Sequence, residues 1–446
     1  MKRIIELSDI VVTGMSAVTA FGNIDQSVKA MLEGRSAISS LLDYDSDFAQ
    51  CPTTIGGVIK NFSLTDYGFT DREAKRLMKR TTRPTQFACA AVRDALIRAG
   101  LADNNFYPQG RCGASIGTGI GSSELIAKLG ADMLLLQRNE ITFDNFTEEH
   151  LGDIVKVLPD ASAYQSQKFK GPMDCSIKAC ATGLGNIRRA MLEIYLGFAD
   201  MRLAGATESL SPVDVMPFNI YARHGALSRR NHEPEKASCP WNDKHDGFVP
   251  AEGAGIFVLE REEKALARGA PILARVIGFG ETTDGSGSTT DPSREGQVEA
   301  MRMAFEWAGL SPQETLGKIA IIAHATSTPA GDGVELMAIR EVFGDTRQIY
   351  ITAPKSMLGH TLAPSGVIQA GTAILAARMG KIMPTINLEY PIPEAVLCNK
   401  DHAHSFEESC YLNLVPNCAV SAKVRYILCN SFGFGGQNVC ILFEIV

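Results

Sequence analysis

Cys180 lies in the run Lys178-Ala-Cys-Ala-Thr-Gly-Leu-Gly, after the strand-like Asp174-Cys-Ser-Ile and ahead of helix-forming sequence. This order predicts a strand-to-helix turn with the thiol near the positive end of a helix dipole, which favours thiolate and nucleophilic attack. Most buried cysteines are inert small hydrophobes, so the turn alone does not establish a nucleophile. Two of the eight histidines have distinctive settings. His324 ends the apolar run Ile319–Ala323 and opens into Ala-Thr-Ser-Thr-Pro-Ala-Gly-Asp, the kind of strand end at which α/β folds hold ligands. His360 follows Lys355-Ser-Met-Leu-Gly and precedes Thr-Leu-Ala-Pro-Ser-Gly. His224, His232, His245, His402 and His404 lie in polar stretches that suggest no chemistry. Asn430-Ser-Phe-Gly-Phe-Gly-Gly-Gln-Asn surrounds two phenylalanines with glycines, so that backbone N–H groups can face a cavity as an oxyanion hole requires. A turn packed by two aromatics has the same signature. Cysteine and histidine here lack the spacing of a metal site, and none is expected.

The elements around these residues read as glycine-bounded, β-branched strands alternating with helical stretches, an α/β pattern. Asp9 to Met15 reads as a buried strand closed by a glycine turn, Ile24 to Gly34 as a helix, and Asp71 to Gly100 as one or two longer helices. Arg111 to Gly121 reads as a strand running into a glycine-rich loop. From about Ser122 to Lys170 the pattern mixes helix and loop, with Leu134–Leu136 expected to be packed. The same grammar then returns. Ile272 to Gly280 echoes the first strand, and Ile319–His324 echoes Cys112–Gly117. Met201–Glu208 pairs with Tyr426–Gly433, and Gly253–Glu260 with Val439–Val446. Two similar halves are expected, 1–265 and 266–446, with strand ends from both converging on one site.

Composition bounds the function. With 446 residues, 45% hydrophobic and 21% charged, the chain has enough apolar content for a large core, which disfavours disorder. Charges break the first apolar stretch too early for a secretory leader, and no apolar run is long enough for a membrane span. Eleven cysteines at irregular spacing, several inside apolar runs, read as reduced thiols in a cytoplasmic protein. The net charge of −7 argues against nucleic acid as the main partner.

In order along nearly the whole chain, these motifs resemble the β-ketoacyl-acyl carrier protein synthases, above all synthase II of fatty acid synthesis and its type II polyketide relatives. The stretch Pro240-Trp-Asn-Asp-Lys-His-Asp-Gly-Phe-Val-Pro-Ala-Glu-Gly-Ala-Gly adds to the match. The resemblance implies a duplicated thiolase fold in five layers, α-β-α-β-α, commonly dimeric. It also implies decarboxylative condensation of an acyl thioester with malonyl-acyl carrier protein. Cys180 would take the acyl chain, with His324 and His360 polarising the malonyl thioester carbonyl. N–H groups of Cys180 and Phe432 would form the oxyanion hole, and Phe432 would gate the site. Lys355 would support the histidines, and Thr326 and Thr328 would bind the pantetheine arm. No permanently bound cofactor is implied; the carrier's phosphopantetheine arm is the substrate carrier. Basic clusters at Lys75, Arg76 and Lys79, and at Arg230, would receive the acidic carrier protein.

Four departures stand out. Ala325 replaces a usual glycine, and Lys178 and Ala181 alter the usual surroundings of the nucleophile. Gln369 replaces a glutamate that would pair with Lys355. The segment Asn399–Glu408 is an insertion. They favour a specialised polyketide-type synthase over housekeeping fatty acid elongation. A thiolase is disfavoured, because its second, C-terminal cysteine is missing from Phe432-Gly-Phe-Gly-Gly. A non-catalytic chain-length-factor-like subunit is disfavoured by the retained cysteine. Homodimer and heterodimer with such a subunit both remain open.

Overall fold

The computed structural model describes residues 9–103, 105–119, 123–142, 169–211, 226–395 and 412–446. Nine strands of four or more residues form its main sheet: β1 (Ile10–Thr19), β2 (Cys112–Gly117), β3 (Met201–Glu208), β4 (Gly253–Arg261), β5 (Ala274–Thr283), β6 (Ile319–Ile322), β7 (Ile349–Thr352), β8 (Tyr426–Gly433) and β9 (Gln437–Ile445). The longer helices are α1 (Ile24–Leu32), α2 (Asp71–Arg80), α3 (Arg83–Arg98), α4 (Ser123–Gln137), α5 (Thr182–Tyr195), α6 (Arg294–Ala308), α7 (Asp332–Phe343) and α8 (Ser365–Arg378).

The strands run in the order β7-β6-β8-β9-β5-β1-β4-β3-β2, with the short strand Met173–Asp174 beyond β2. Outward from the β5–β1 seam, each side has two antiparallel pairings followed by two parallel ones. The seam itself is short: Val11 pairs with Arg275 and Val12 with Ala274. The sheet is therefore mixed, and its two sides repeat one topology in the pairing that the sequence echoes suggest. Strands such as β6 and β3 are buried along their whole length, which is why β6 reads as an unbroken apolar run, while the charges that β3 buries, Arg202 and Glu208, lie near its two ends.

Two expectations need correcting. Gly14 and its counterpart Gly278 do not close their strands. β1 continues through Gly14 to Thr19 with a register shift between Val12 and Gly14. A Cβ at Gly14 would lie 2.3 Å from the Ala95 carbonyl oxygen of α3, and one at Gly278 2.0 Å from that of Ala304 on α6. These glycines let a helix backbone press onto the sheet. Leu134, expected to be packed, is exposed on α4, with Leu135 and Leu136 half-buried.

Helices α5 and α8 carry the site. They cross at glycines: a Cβ at Gly183 would lie 2.6 Å from Val367, and one at Gly366 2.7 Å from Leu184. The Gly183 N–H donates to the Ala363 carbonyl oxygen at 3.1 Å. This close approach joins the start of α5, just after Cys180, to the chain just after His360. Both helices belong to one central apolar cluster with β1, β4, β5, β8 and β9.

Candidate active site

The nucleophile turn is built by its own backbone. Residues Ala179–Ala181 form a short 3₁₀ turn leading into α5, and Ala179 has a left-handed φ of 46°. The Thr182 hydroxyl pins the turn, accepting from Lys178 N–H at 2.8 Å and donating to the Ala179 carbonyl at 2.7 Å. The helix start does not make a ready thiolate. Burial pushes the Cys180 thiol up to about 11, despite the opposing pull of the Lys355 charge and of N–H groups from Phe434 and Cys180 itself. Desolvation outweighs the dipole.

His360 reaches this turn through a backbone bridge: its N–H donates to the Val249 carbonyl at 2.7 Å, and its carbonyl accepts from Ala251 at 2.9 Å. Its Nε2 lies 3.0 Å from Cys180 Sγ. The Leu362 N–H points at His360 Nδ1 at 3.3 Å, so Nδ1 accepts and the ring proton resides on Nε2. His324, at the end of β6, stands across the cavity, its ring 5.5 Å from that of His360 and at 84° to it. Its Nδ1 faces Lys355 Nζ at 3.5 Å. Burial first, then the Lys355 charge, holds both histidines well below the ordinary 6.5. Both are neutral at physiological pH and present Nε2–H donors.

His324 is held from two sides. Its N–H and that of Ala325 donate to the buried carboxylate of Glu335 at 2.8 and 2.7 Å, and Asn430 Nδ2 reaches the same carboxylate at 3.1 Å. Its carbonyl accepts from Lys355 Nζ at 2.5 Å. Lys355 also donates to Gln369 Oε1 at 2.9 Å, and burial brings the lysine down to about 8. The following loop is tied by Asp332, which accepts from the N–H groups of Ser327 at 3.0 Å and Thr328 at 3.3 Å and pairs with His245 Nδ1 at 2.9 Å.

Cys180, His324 and His360 offer ligand atoms within 4.8 Å of one another, close enough to frame a metal ion. The surrounding groups do not suit one. A metal-bound histidine donates its second N–H to an acceptor, whereas here donors, Leu362 N–H and Lys355, face both Nδ1 atoms. The arrangement instead aims two N–H donors at a point beside the thiol, where an oxygen gaining negative charge would be stabilised. That point opens into a cavity of about 790 Å³ lined also by Phe248, Thr326, Thr328, Phe432 and Phe434.

Most of the residues singled out from sequence converge here. Thr326 and Thr328 line the cavity with their hydroxyls 3.0 Å apart. Two expectations are corrected. The backbone N–H at the thiol is that of Phe434, not Phe432, whose ring instead packs edge-on to His324 at 5.9 Å. Arg230 turns inward, its guanidinium 2.7 Å from Glu233 and 3.0 Å from Cys239 Sγ, so it does not join an exposed basic face. Lys75, Arg76 and Lys79 are exposed on α2. His224, His402, His404 and the insertion Asn399–Glu408 lie outside the described residues. Glu335, Asp332 and Phe434 carry roles that the sequence reading did not assign. The signal for Glu335 was an acid in the first turn of the helix after the His324 loop.

A buried cysteine at a helix start and two neutral histidines, brought together from both sides of a repeated α/β topology, define an acyl-transfer class of site. The family described as Beta-ketoacyl synthase, N-terminal domain matches residues 7–265, and Beta-ketoacyl synthase, C-terminal domain matches residues 273–389. The chain thus belongs to the β-ketoacyl synthase family of the thiolase superfamily, acyltransferases that form carbon–carbon bonds. It is 35% identical to 3-oxoacyl-acyl-carrier-protein synthase 2 of Vibrio cholerae over 442 residues, 98% of each chain. Among solved structures it is similar to a Beta-ketoacyl synthase from Burkholderia phymatum (TM-score 0.84, 31% identity, 98% of this chain and 99% of that one). It is also similar to the ishigamide ketosynthase/chain length factor (TM-score 0.82, 27% identity, the same coverage). No helix among the described residues is long and apolar enough to cross a membrane.

Proposed function

We propose that the protein is a β-ketoacyl-acyl carrier protein synthase that works by decarboxylative Claisen condensation with Cys180 as nucleophile. The observation that carries this reading is the placement of Cys180 Sγ 3.0 Å from His360 Nε2, with His324 opposite, in a cavity of about 790 Å³. In the first step Sγ attacks the acyl thioester; the new C–S bond forms, and the carrier's pantetheine thiol leaves with the proton lost by Cys180. N–H groups of Cys180 and Phe434 stabilise the tetrahedral oxyanion. In the second, malonyl-carrier protein replaces it, and the bond to the carboxylate breaks with release of carbon dioxide. The electron pair moves toward the thioester oxygen, where the two Nε2–H donors meet the developing charge. The enolate carbon then attacks the acyl-Cys180 carbonyl, a C–C bond forms, and the cysteine leaves as thiolate and takes up a proton from water, which restores the thiol for the next turnover.

Lys355 supports the histidine pair in this reading. Thr326 and Thr328 bind the arm, and the exposed Lys75, Arg76 and Lys79 receive the acidic carrier protein. The chain divides into halves at 1–265 and 266–446 in a five-layer arrangement and works as a dimer in the cytoplasm with no resident cofactor. Gln369, Ala325 and Lys178 favour a specialised type II polyketide or fatty acid pathway over housekeeping elongation. Similarity to a ketosynthase/chain length factor pair supports a second reading of assembly, a catalytic subunit whose activity depends on a partner subunit.

The test is intact mass after incubation with a panel of acyl-carrier proteins, then malonyl-carrier protein. Acylation at Cys180 that discharges as a 3-ketoacyl product supports the reading. Cys180→Ala should abolish acyl transfer, and His324→Ala and His360→Ala should impair decarboxylation more than acylation. Normal condensation by Cys180→Ala would refute the mechanism. Acylation that appears only on adding a partner subunit would select the second assembly.

A further inference from the structure

Gln297 occupies the first turn of α6 and lines the same cavity as Cys180. It is 1% exposed, and its Oε1 has no hydrogen-bond partner among the described residues. One turn along the same helix face, Met301 Sδ lies 3.7 Å from Asn430 Nδ2, which also contacts the Glu335 carboxylate holding His324. Gln297 is thus part of the wall built beside the histidine that serves the malonyl thioester.

A buried amide oxygen without a partner is costly, because it has lost its water and gained nothing. Several polar side chains of the same cavity wall are already engaged. Thr326 and Thr328 bond to each other, and Asn438 Nδ2 donates to Asp284 Oδ1 at 2.6 Å. The open capacity is therefore an acceptor, which calls for an N–H or O–H donor. Asp284 and Asp291 line the same stretch, so an anionic group is unwelcome there. A neutral secondary amide fits both constraints, and the thioester arm that must cross this cavity to reach Cys180 contains such amides.

We infer that Gln297 Oε1 accepts a hydrogen bond from an amide N–H of the substrate's pantetheine arm and so helps select arm-bearing malonyl thioesters. This inference rests on the proposed function. The test uses malonyl-pantetheine and analogues in which each arm amide N–H is replaced in turn by an ester oxygen. Condensation is followed with wild type and Gln297→Leu. In wild type, one ester analogue should raise KM about 3- to 10-fold at unchanged kcat, the size of one neutral hydrogen bond. Gln297→Leu should raise KM for the parent by a similar factor and no longer distinguish that analogue.

Wild-type KM values that are the same for every ester analogue would overturn the inference without recourse to any variant. So would an ester penalty equal in wild type and Gln297→Leu, which would place the contact elsewhere. A wild type that condenses none of the thioesters, the parent included, would instead overturn the functional reading and this inference with it.

Discussion

Lys355 Nζ sits 2.9 Å from the Oε1 of Gln369, so the buried ammonium beside His324 leans on a neutral amide. Burial then brings the lysine to about 8, with Glu335 the largest of the opposing charges. The charge that orders His324 is therefore lost just above neutrality. Carbon dioxide release from the malonyl thioester is expected to fall as pH rises through about 8. Gln369→Glu would place an anion beside the ammonium, favour its charged form and move that limb to higher pH. The stability effect has the opposite sign. Between about 8 and the ordinary 10.5, the unfolded chain holds a proton on Lys355 that the folded chain lacks. Stability from this group rises with pH across that window. Comparing unfolding midpoints of wild type and Lys355→Met over the same range separates the two. A pH–rate profile flat to pH 9.5 in wild type would show that the charge does not matter.

Cys180 offers a second pH readout. With its thiol at about 11, the thiolate fraction, and hence alkylation by iodoacetamide, should rise ~10-fold per pH unit between 7 and 10. Peptide mass spectrometry resolves Cys180 from the other cysteines. Lys355→Met removes the cation that lowers the thiol and should slow alkylation below about pH 8, where the lysine is charged, with the difference from wild type fading above it. A rate already saturated at pH 7 would mean that the thiolate is preformed.

Glu335 accepts from three donors at once, so removing it leaves the N–H groups of His324 and Ala325 buried and unpaired. Glu335→Ala should cost about 2–3 kcal/mol of stability by denaturant unfolding. It should lower carbon dioxide release at least ~10-fold through misplacement of His324, with a smaller effect on Cys180 acylation. Equal losses in both half-reactions would assign Glu335 to general stability instead.

Ala325 is held at a φ of 25°, in the left-handed region that favours glycine. Ala325→Gly relieves that strain, partly offset by the greater freedom of glycine in the unfolded chain. A net gain of about 0.5–1 kcal/mol is expected. An unchanged or lower unfolding midpoint would show that the alanine methyl, which lines the cavity, packs well enough to offset its backbone cost.

The repeated strands were readable because β-branched, glycine-bounded runs announce themselves, Cys180 because it sits at a helix start, His324 because it follows a strand end, and His360 because it lies between Lys355-Ser-Met-Leu-Gly and a Pro-Ser-Gly run. What escaped depended on contacts between distant segments. Gly14 looks like a turn until α3 is seen pressing on it. Phe432 and Phe434 have near-identical sequence surroundings, and only the approach of the β8–β9 loop to Cys180 separates them. Arg230 is as basic as Lys75, but Glu233 three residues on draws it inward. The helix start beside Cys180 is local, whereas the burial that overrides its dipole comes from the whole fold.

The strand order also shapes how activity arises during synthesis. β8 fills the place between β6 and β9, so the strand bearing His324 has an unpaired edge until Tyr426–Gly433 arrives. Phe434, which follows β8, reaches Cys180 only at that moment. A nascent chain therefore displays its cysteine long before the groups that make it useful have folded around it. On the proposed mechanism, thioester capture has to wait for these last strands. The cost is an intermediate with an open, apolar edge, a species for which chaperones are the natural guardians.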